Sequence, residues 1–115
     1  MVAISDERFE ELVDEGLDLV PEKLLNHLTN VVIQIEDRNP RSPGILGLYE
    51  GVALTERTNE FSGFLPDTIT IYRESLKDYC ASESELVEQV RITVIHEIAH
   101  YFGIDDARLH ELGWG

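Results

Sequence analysis

Cysteine, basic residues and long apolar runs are all scarce in this sequence. Its 115 residues include one cysteine, Cys80, so no disulfide can form within the chain, which is typical of proteins in a reducing compartment. No apolar run approaches the ~20 residues of a membrane-spanning helix, and the acidic N-terminus lacks the pattern of a secretory signal. We therefore expect a cytoplasmic protein in which Cys80 is a half-buried structural thiol.

Basic residues are outnumbered by acidic ones, 9 to 23, which gives a formal net charge of −14. A surface of this charge repels phosphate backbones and anionic lipids, so we expect neither nucleic acid nor a membrane as a partner. The hydrophobic fraction of 43% is ordinary for a globular protein, and the length fits a single domain over residues 1–115. We expect a monomer or a weak homo-oligomer.

Periodic apolar residues and capping signals predict a series of helices and strands. Ser5 has the position of an N-cap before a first helix, and Pro21 starts a second helical segment that reaches Leu28. A capping segment at Ser82 precedes a long apolar helix, which Gly103 ends. The further predicted elements are strands over residues 31–35, 45–51 and 68–72, with an extension of the second to residue 54 left open, and helices over 73–80 and 83–102. This order predicts an α+β fold.

The long helix carries the pattern H-E-x-x-H at His96, Glu97 and His100. Residues i and i+4 lie on one face of a helix about 6 Å apart, so the two imidazoles can bind one metal ion. Zinc accepts nitrogen ligands at about 2.0–2.1 Å in a tetrahedral arrangement. In this motif the glutamate does not bind the metal but contacts the water that does, so Glu97 is the predicted general base.

A catalytic zinc usually has three protein ligands, so the two histidines need a third. Gly103 can turn the chain back with a positive φ, and Asp106 follows three residues later in the pattern H-E-x-x-H-x-x-G-x-x-D. Asp106 fits this register best, and it is the predicted third ligand. Asp105, which we interpret as a helix cap, His110 and Glu111 remain alternatives.

Residues 91–114, which contain this pattern, resemble the signature of the minimal zincin-like metallopeptidases, a group of short bacterial proteins. The resemblance implies an α+β zincin fold in which a small mixed sheet packs against an N-terminal helix and a long C-terminal metal-binding helix. It implies that His96, His100 and Asp106 bind Zn²⁺ and that Glu97 activates a zinc-bound water to hydrolyse peptide bonds. The chain also resembles the metzincins, with aspartate where most of them have a third histidine.

A peptide or protein substrate is implied by the same resemblance. An extended peptide would pair with an edge strand, either residues 45–50 or 68–72, and place a carbonyl over the metal. The hydroxyl of Tyr49 or Tyr72 could stabilise the developing oxyanion, whereas Tyr101 is expected to be a packing residue.

One feature of the metzincins is missing, because the only methionine is Met1 and no methionine turn can follow Asp106. Only nine residues follow Asp106, so we expect a cleft that is open on that side. This departure motivates an alternative function, that of a non-catalytic binding module whose zinc is structural or vestigial.

Overall fold

A computed structural model of the protein describes residues 1–26, 28, 30–51, 66–104 and 106–111. Within residues 106–111, the side chains of residues 106, 109 and 110 are outside the described part. The described helices are α1 (Asp6–Asp18), α2 (Glu22–Leu25), α3 (Arg73–Tyr79), α4 (Glu83–Tyr101) and α5 (Asp106–Glu111). The described strands are β1 (Val31–Glu36), β2 (Gly47–Glu50) and β3 (Asp67–Tyr72). These elements confirm the predicted α+β class. Within the described ranges, no helix has the length and apolar character needed to cross a bilayer.

The three strands form one mixed sheet in the order β1-β3-β2. Strand β3 lies in the middle, where it pairs with β1 in parallel and with β2 in antiparallel orientation. The prediction that residues 68–72 could be an edge strand is therefore wrong, because both sides of β3 are occupied. Of the two proposed docking strands, only β2 lies at an edge of the described sheet.

Side-chain caps define the starts of the two long helices, as the sequence predicts. The Ser5 hydroxyl accepts a hydrogen bond from the Arg8 N–H at 3.1 Å, and the Ser82 hydroxyl accepts one from the Glu85 N–H at 3.2 Å. Each cap satisfies an N–H group that the first turn of a helix leaves without a carbonyl partner. The other end of α4 is closed at Gly103, whose φ of 76° lies in the left-handed region.

The core lies between α4, α1 and one face of the sheet. Ile69 and Ile71 on β3 are fully buried there, and the intervening Thr70 faces the opposite side of the sheet, as the two-residue period of a strand requires. Helix α1 packs on α4 at Gly16, where an added Cβ would lie 2.6 Å from a methyl carbon of Val90. The glycine therefore permits a close approach of the two helices.

Three local predictions differ from the structure. The second helix ends at Leu25 rather than Leu28, and the backbone reaches a positive φ of 57° at Asn30 before β1 begins. Strand β2 begins at Gly47, because Ile45 still donates its N–H to the Ser42 carbonyl in a turn. Its predicted extension to residue 54 lies outside the described residues. Cys80 is completely buried, not half-buried.

Candidate metal centre

The last turns of α4 bring His96, Glu97 and His100 together. One ligand atom from each of these side chains lies within 4.8 Å of the other two, and the imidazole centroids are 4.7 Å apart. The helix sets this arrangement, because residues separated by four positions lie one above the other on the same face. The sequence spacing therefore predicted which three described side chains form the cluster.

Glu97 is the most buried member of the cluster, with 6% of its surface exposed. Its Oε1 atom accepts a hydrogen bond from the backbone N–H of Tyr49 at 2.9 Å and lies 3.3 Å from His100 Nδ1. A buried carboxylate needs such donors, because it has lost the hydrogen bonds of water. These contacts hold the Glu97 carboxylate between α4 and β2.

The Tyr49 N–H is available to Glu97 because it points away from the sheet. The Tyr72 N–H donates to the Leu46 carbonyl, and hydrogen-bonded pairs alternate along an antiparallel ladder. Gly47 and Tyr49 therefore belong to the non-bonded pairs, and their backbone groups face the side of β2 that lies away from β3. This side borders the histidine pair.

Gly47 permits the close contact between β2 and α4. A Cβ at this position would lie 2.4 Å from Thr93 Cγ2 and 3.6 Å from Glu97 Cγ. This role of Gly47 was not predicted from the sequence, although a glycine inside a strand is a recognised sign of close backbone approach.

The three tyrosines considered from the sequence have different surroundings. The Tyr49 hydroxyl donates to Asp67 Oδ2 at 2.6 Å, and Tyr101 is buried with its ring edge-on to Tyr49. The Tyr72 hydroxyl accepts from Asn39 Nδ2 at 2.8 Å. Tyr72 points away from α4, since it alternates with Ile71, so its predicted role at the metal is wrong. The expected packing role of Tyr101 is confirmed.

A cavity of about 360 Å³ lies beside the cluster, between α4 and the start of β2. Its wall on the helix side includes Ile92, Thr93 and His96, and Leu46 and Gly47 line the other side. The space is large enough for one side chain of a polypeptide. It lies on the side of β2 that faces away from β3.

The third ligand remains a prediction. Helix α5 begins at Asp106, directly after the turn at Gly103, but the Asp106 side chain lies outside the description, as do Asp105 and the His110 side chain. The alternative Glu111 is exposed and forms an ion pair with Arg108 at 3.0 Å. It is not part of the metal-ligand cluster found among the described residues.

The donor set fits a zinc ion. Two nitrogens that bind one tetrahedral zinc are roughly 3.4 Å apart, and the present ligand atoms lie within 4.8 Å of one another. The His100 side chain is 41% exposed, so small side-chain rotations can close this difference. Imidazole nitrogens suit zinc and also copper, iron and nickel, so the histidine pair indicates a transition-metal site.

Comparison with known proteins identifies the family of this chain. A family model described as zincin-like metallopeptidase matches residues 28–114. A conserved hypothetical protein from Thermus thermophilus is similar in fold, with a TM-score of 0.58 and 24% identity over 95% of this chain and 97% of the other. No curated protein matches. Since the family model spans most of the sequence and includes the His96–His100 motif, the chain belongs to the zincin-like metallopeptidase family.

Proposed function

We propose that this protein is a zinc-dependent peptidase that uses His96 and His100 as metal ligands and Glu97 as general base. Asp106 completes the ligand set in this proposal. The observation that carries it is the position of the Glu97 carboxylate, which is buried next to both imidazoles and held by the Tyr49 N–H at 2.9 Å. In the H-E-x-x-H motif, the glutamate that follows the first histidine has the role of general base.

A bound zinc ion would supply Lewis acidity, which polarises a peptide carbonyl and lowers the pKa of water toward about 7. Glu97 accepts the proton of the attacking water and later delivers it to the leaving nitrogen. The hydrogen bond from Tyr49 keeps the carboxylate oriented, so that little reorganisation is needed during proton transfer.

The proposed substrate is an extended peptide segment. The outward-facing N–H and carbonyl of Gly47 offer an antiparallel pairing position beside the histidines, next to the Tyr49 N–H that holds Glu97. A peptide bound along β2 would place one side chain in the cavity of about 360 Å³ next to His96. Backbone pairing accepts many sequences, so this cavity would supply most of the selectivity.

A digest of a peptide library by the zinc-loaded protein tests the proposal. We expect cleavage products by mass spectrometry, loss of all products with a chelator, and recovery when Zn²⁺ is restored. The matched control is Glu97→Gln, which keeps the shape of the side chain and removes its basicity. Cleavage by this variant at the parent rate would contradict the mechanism, and bound zinc without any cleavage by the parent would favour the non-catalytic binding module.

A further inference from the structure

A cavity at the protein surface lies between α1 and α4, away from the candidate metal centre. It has a volume of about 750 Å³ and follows the line where the two helices pack beside Gly16. Val87, which lines the cavity, precedes His96 by nine residues. This separation is roughly 13 Å along the helix at about 1.5 Å per residue. We call this cavity the α1–α4 groove.

The floor of the α1–α4 groove is apolar. It contains Leu12, Val87 and Leu19. Leu19, the C-cap residue of α1, is 54% exposed, whereas Leu12 on the same helix is buried. An apolar side chain from a partner can cover this surface and remove it from water.

The rim of the α1–α4 groove is strongly acidic. Its charged residues are Glu15, Asp18, Glu83, Glu88 and one basic residue, Arg8. Arg8 is already engaged, since it donates to Glu11 at 2.9 Å and to Glu83 at 2.9 Å. Its hydrogen bond lowers the pKa of Glu83, so this carboxyl is ionised at neutral pH.

Two of these carboxylates form no ion pair in the described part of the chain. Glu88 is matched by Arg91, but no hydrogen bond or ion pair reaches Glu15 or Asp18 there. Both lie near the C-terminal end of α1, which has no basic residue in its last turn. Because a helix carries partial negative charge at this end, carboxylates there are unfavourable and a cation would be stabilised.

We propose that the α1–α4 groove is a docking site for a lysine-rich, amphipathic polypeptide segment of a partner protein. A leucine-sized side chain of the segment covers Leu19 and Val87. The ammonium groups of the segment's lysines neutralise Glu15 and Asp18. The excess of acidic charge over the whole molecule, −14, attracts such a segment from solution, and the groove gives it a defined position. This inference does not depend on metal binding or catalysis.

The probe for the test is a fluorescent helical peptide of about 14 residues with leucines at helical spacing and lysines at the other positions. We expect saturable binding to the full chain by fluorescence anisotropy at low salt. A peptide with its leucines replaced by serines should bind at least about tenfold more weakly, and so should the original peptide with Leu19→Ser protein. Amide NMR shifts should be largest near Leu12, Leu19 and Val87.

Two double variants that each remove two negative charges distinguish binding in the groove from nonspecific electrostatic attraction. Glu15→Gln with Asp18→Asn removes the unmatched rim charges, whereas Glu10→Gln with Asp14→Asn removes two exposed charges from the same helix outside the groove. We expect the first pair to weaken binding about fivefold or more and the second by less than about twofold. Equal weakening by both pairs, equal binding of the serine peptide, or no saturable binding would overturn the proposal.

Discussion

At the scale of single residues, neighbouring side chains of α4 in the His96–Glu97–His100 cluster differ in burial and in hydrogen bonding. His100 is partly exposed and offers a ring nitrogen to the cluster, whereas Glu97 is buried and accepts a backbone hydrogen bond. The same turn of helix therefore carries one side chain suited to bind an ion and another suited to move a proton.

This division predicts that metal binding and turnover can be separated by substitution. We expect His100→Ala to lose bound zinc because it removes one of the two proposed imidazole ligands, with affinity reduced at least about 100-fold. Glu97→Gln should keep the metal, since the carboxamide still accepts the Tyr49 N–H. Metal analysis of the two purified variants checks this, and equal zinc content in both would show that His100 is not a ligand.

Burial also determines the chemistry of Cys80. Loss of water around the thiol raises its pKa to about 11. An unfolded cysteine ionises near pH 8.5, so above that pH the unfolded state loses its proton first and is stabilised. We therefore expect the free energy of unfolding to fall between about pH 8.5 and 11, by at most about 1.4 kcal/mol per pH unit from this group.

Urea unfolding over this pH range measures the effect. The control is Cys80→Ala, which lacks the thiol and should show a shallower decline with pH, although it is less stable at neutral pH because of the cavity it leaves. A thiol reagent should modify the native protein at neutral pH far more slowly than the unfolded protein. Identical pH slopes for the parent and the alanine variant would contradict the assigned cause.

At the scale of elements, the candidate metal centre depends on the contact between α4 and β2. The contact is made possible by Gly47, which leaves room for Thr93 and brings the Tyr49 N–H to Glu97. Substitutions that widen this contact should therefore affect the orientation of Glu97 without removing any ligand.

We predict that Gly47→Ala destabilises the fold by about 1–3 kcal/mol, because the new methyl group would overlap Thr93 at 2.4 Å. Peptidase activity should fall more than zinc affinity, since the two histidines stay on α4. Denaturant unfolding, zinc titration and the peptide digest measure the three quantities on the same preparation.

The matched control for this prediction is Gly44→Ala. A Cβ at Gly44 meets no atom within 4 Å, so this change should be neutral or slightly stabilising, by up to about 1 kcal/mol. If the Gly47→Ala and Gly44→Ala variants have the same stability, a methyl group at position 47 does not overlap Thr93, and the prediction is wrong.

The elements also show what a sequence can reveal in advance. Local signals predicted both capped helices, the left-handed Gly103 and the histidine spacing, because each depends on residues within about one turn. The hydrogen bond from Tyr49 to Glu97 joins residues 48 positions apart, and the order of the strands likewise depends on distant pairing. No local pattern encodes such contacts, which is why the tyrosine and edge-strand predictions were partly wrong.

At the scale of the whole molecule, electrostatic repulsion opposes the fold. The net charge is −14, and α1 alone carries seven acidic residues and one arginine in 13 positions. Ion pairs such as Arg8 with Glu83 are exposed, so each contributes little, and little stability is lost when salt screens them. Repulsion among many carboxylates acts over longer distances than an ion pair does. Salt therefore weakens this repulsion more than it weakens the ion pairs, once the Debye length falls below about 10 Å.

We therefore predict that sodium chloride stabilises the metal-free protein. Raising its concentration from about 10 mM to 300 mM should increase Tm, because the Debye length shrinks from about 30 Å to roughly 6 Å and the compact state suffers most from self-repulsion. Thermal unfolding followed by circular dichroism measures the shift. Potassium chloride at equal ionic strength should give the same increase, since screening does not distinguish the two cations, whereas sucrose controls for general exclusion from the surface. A decrease in Tm with either salt would mean that the ion pairs of Arg8, Arg73 and Arg91 outweigh the repulsion, and that the acidic surface is balanced locally despite its total charge.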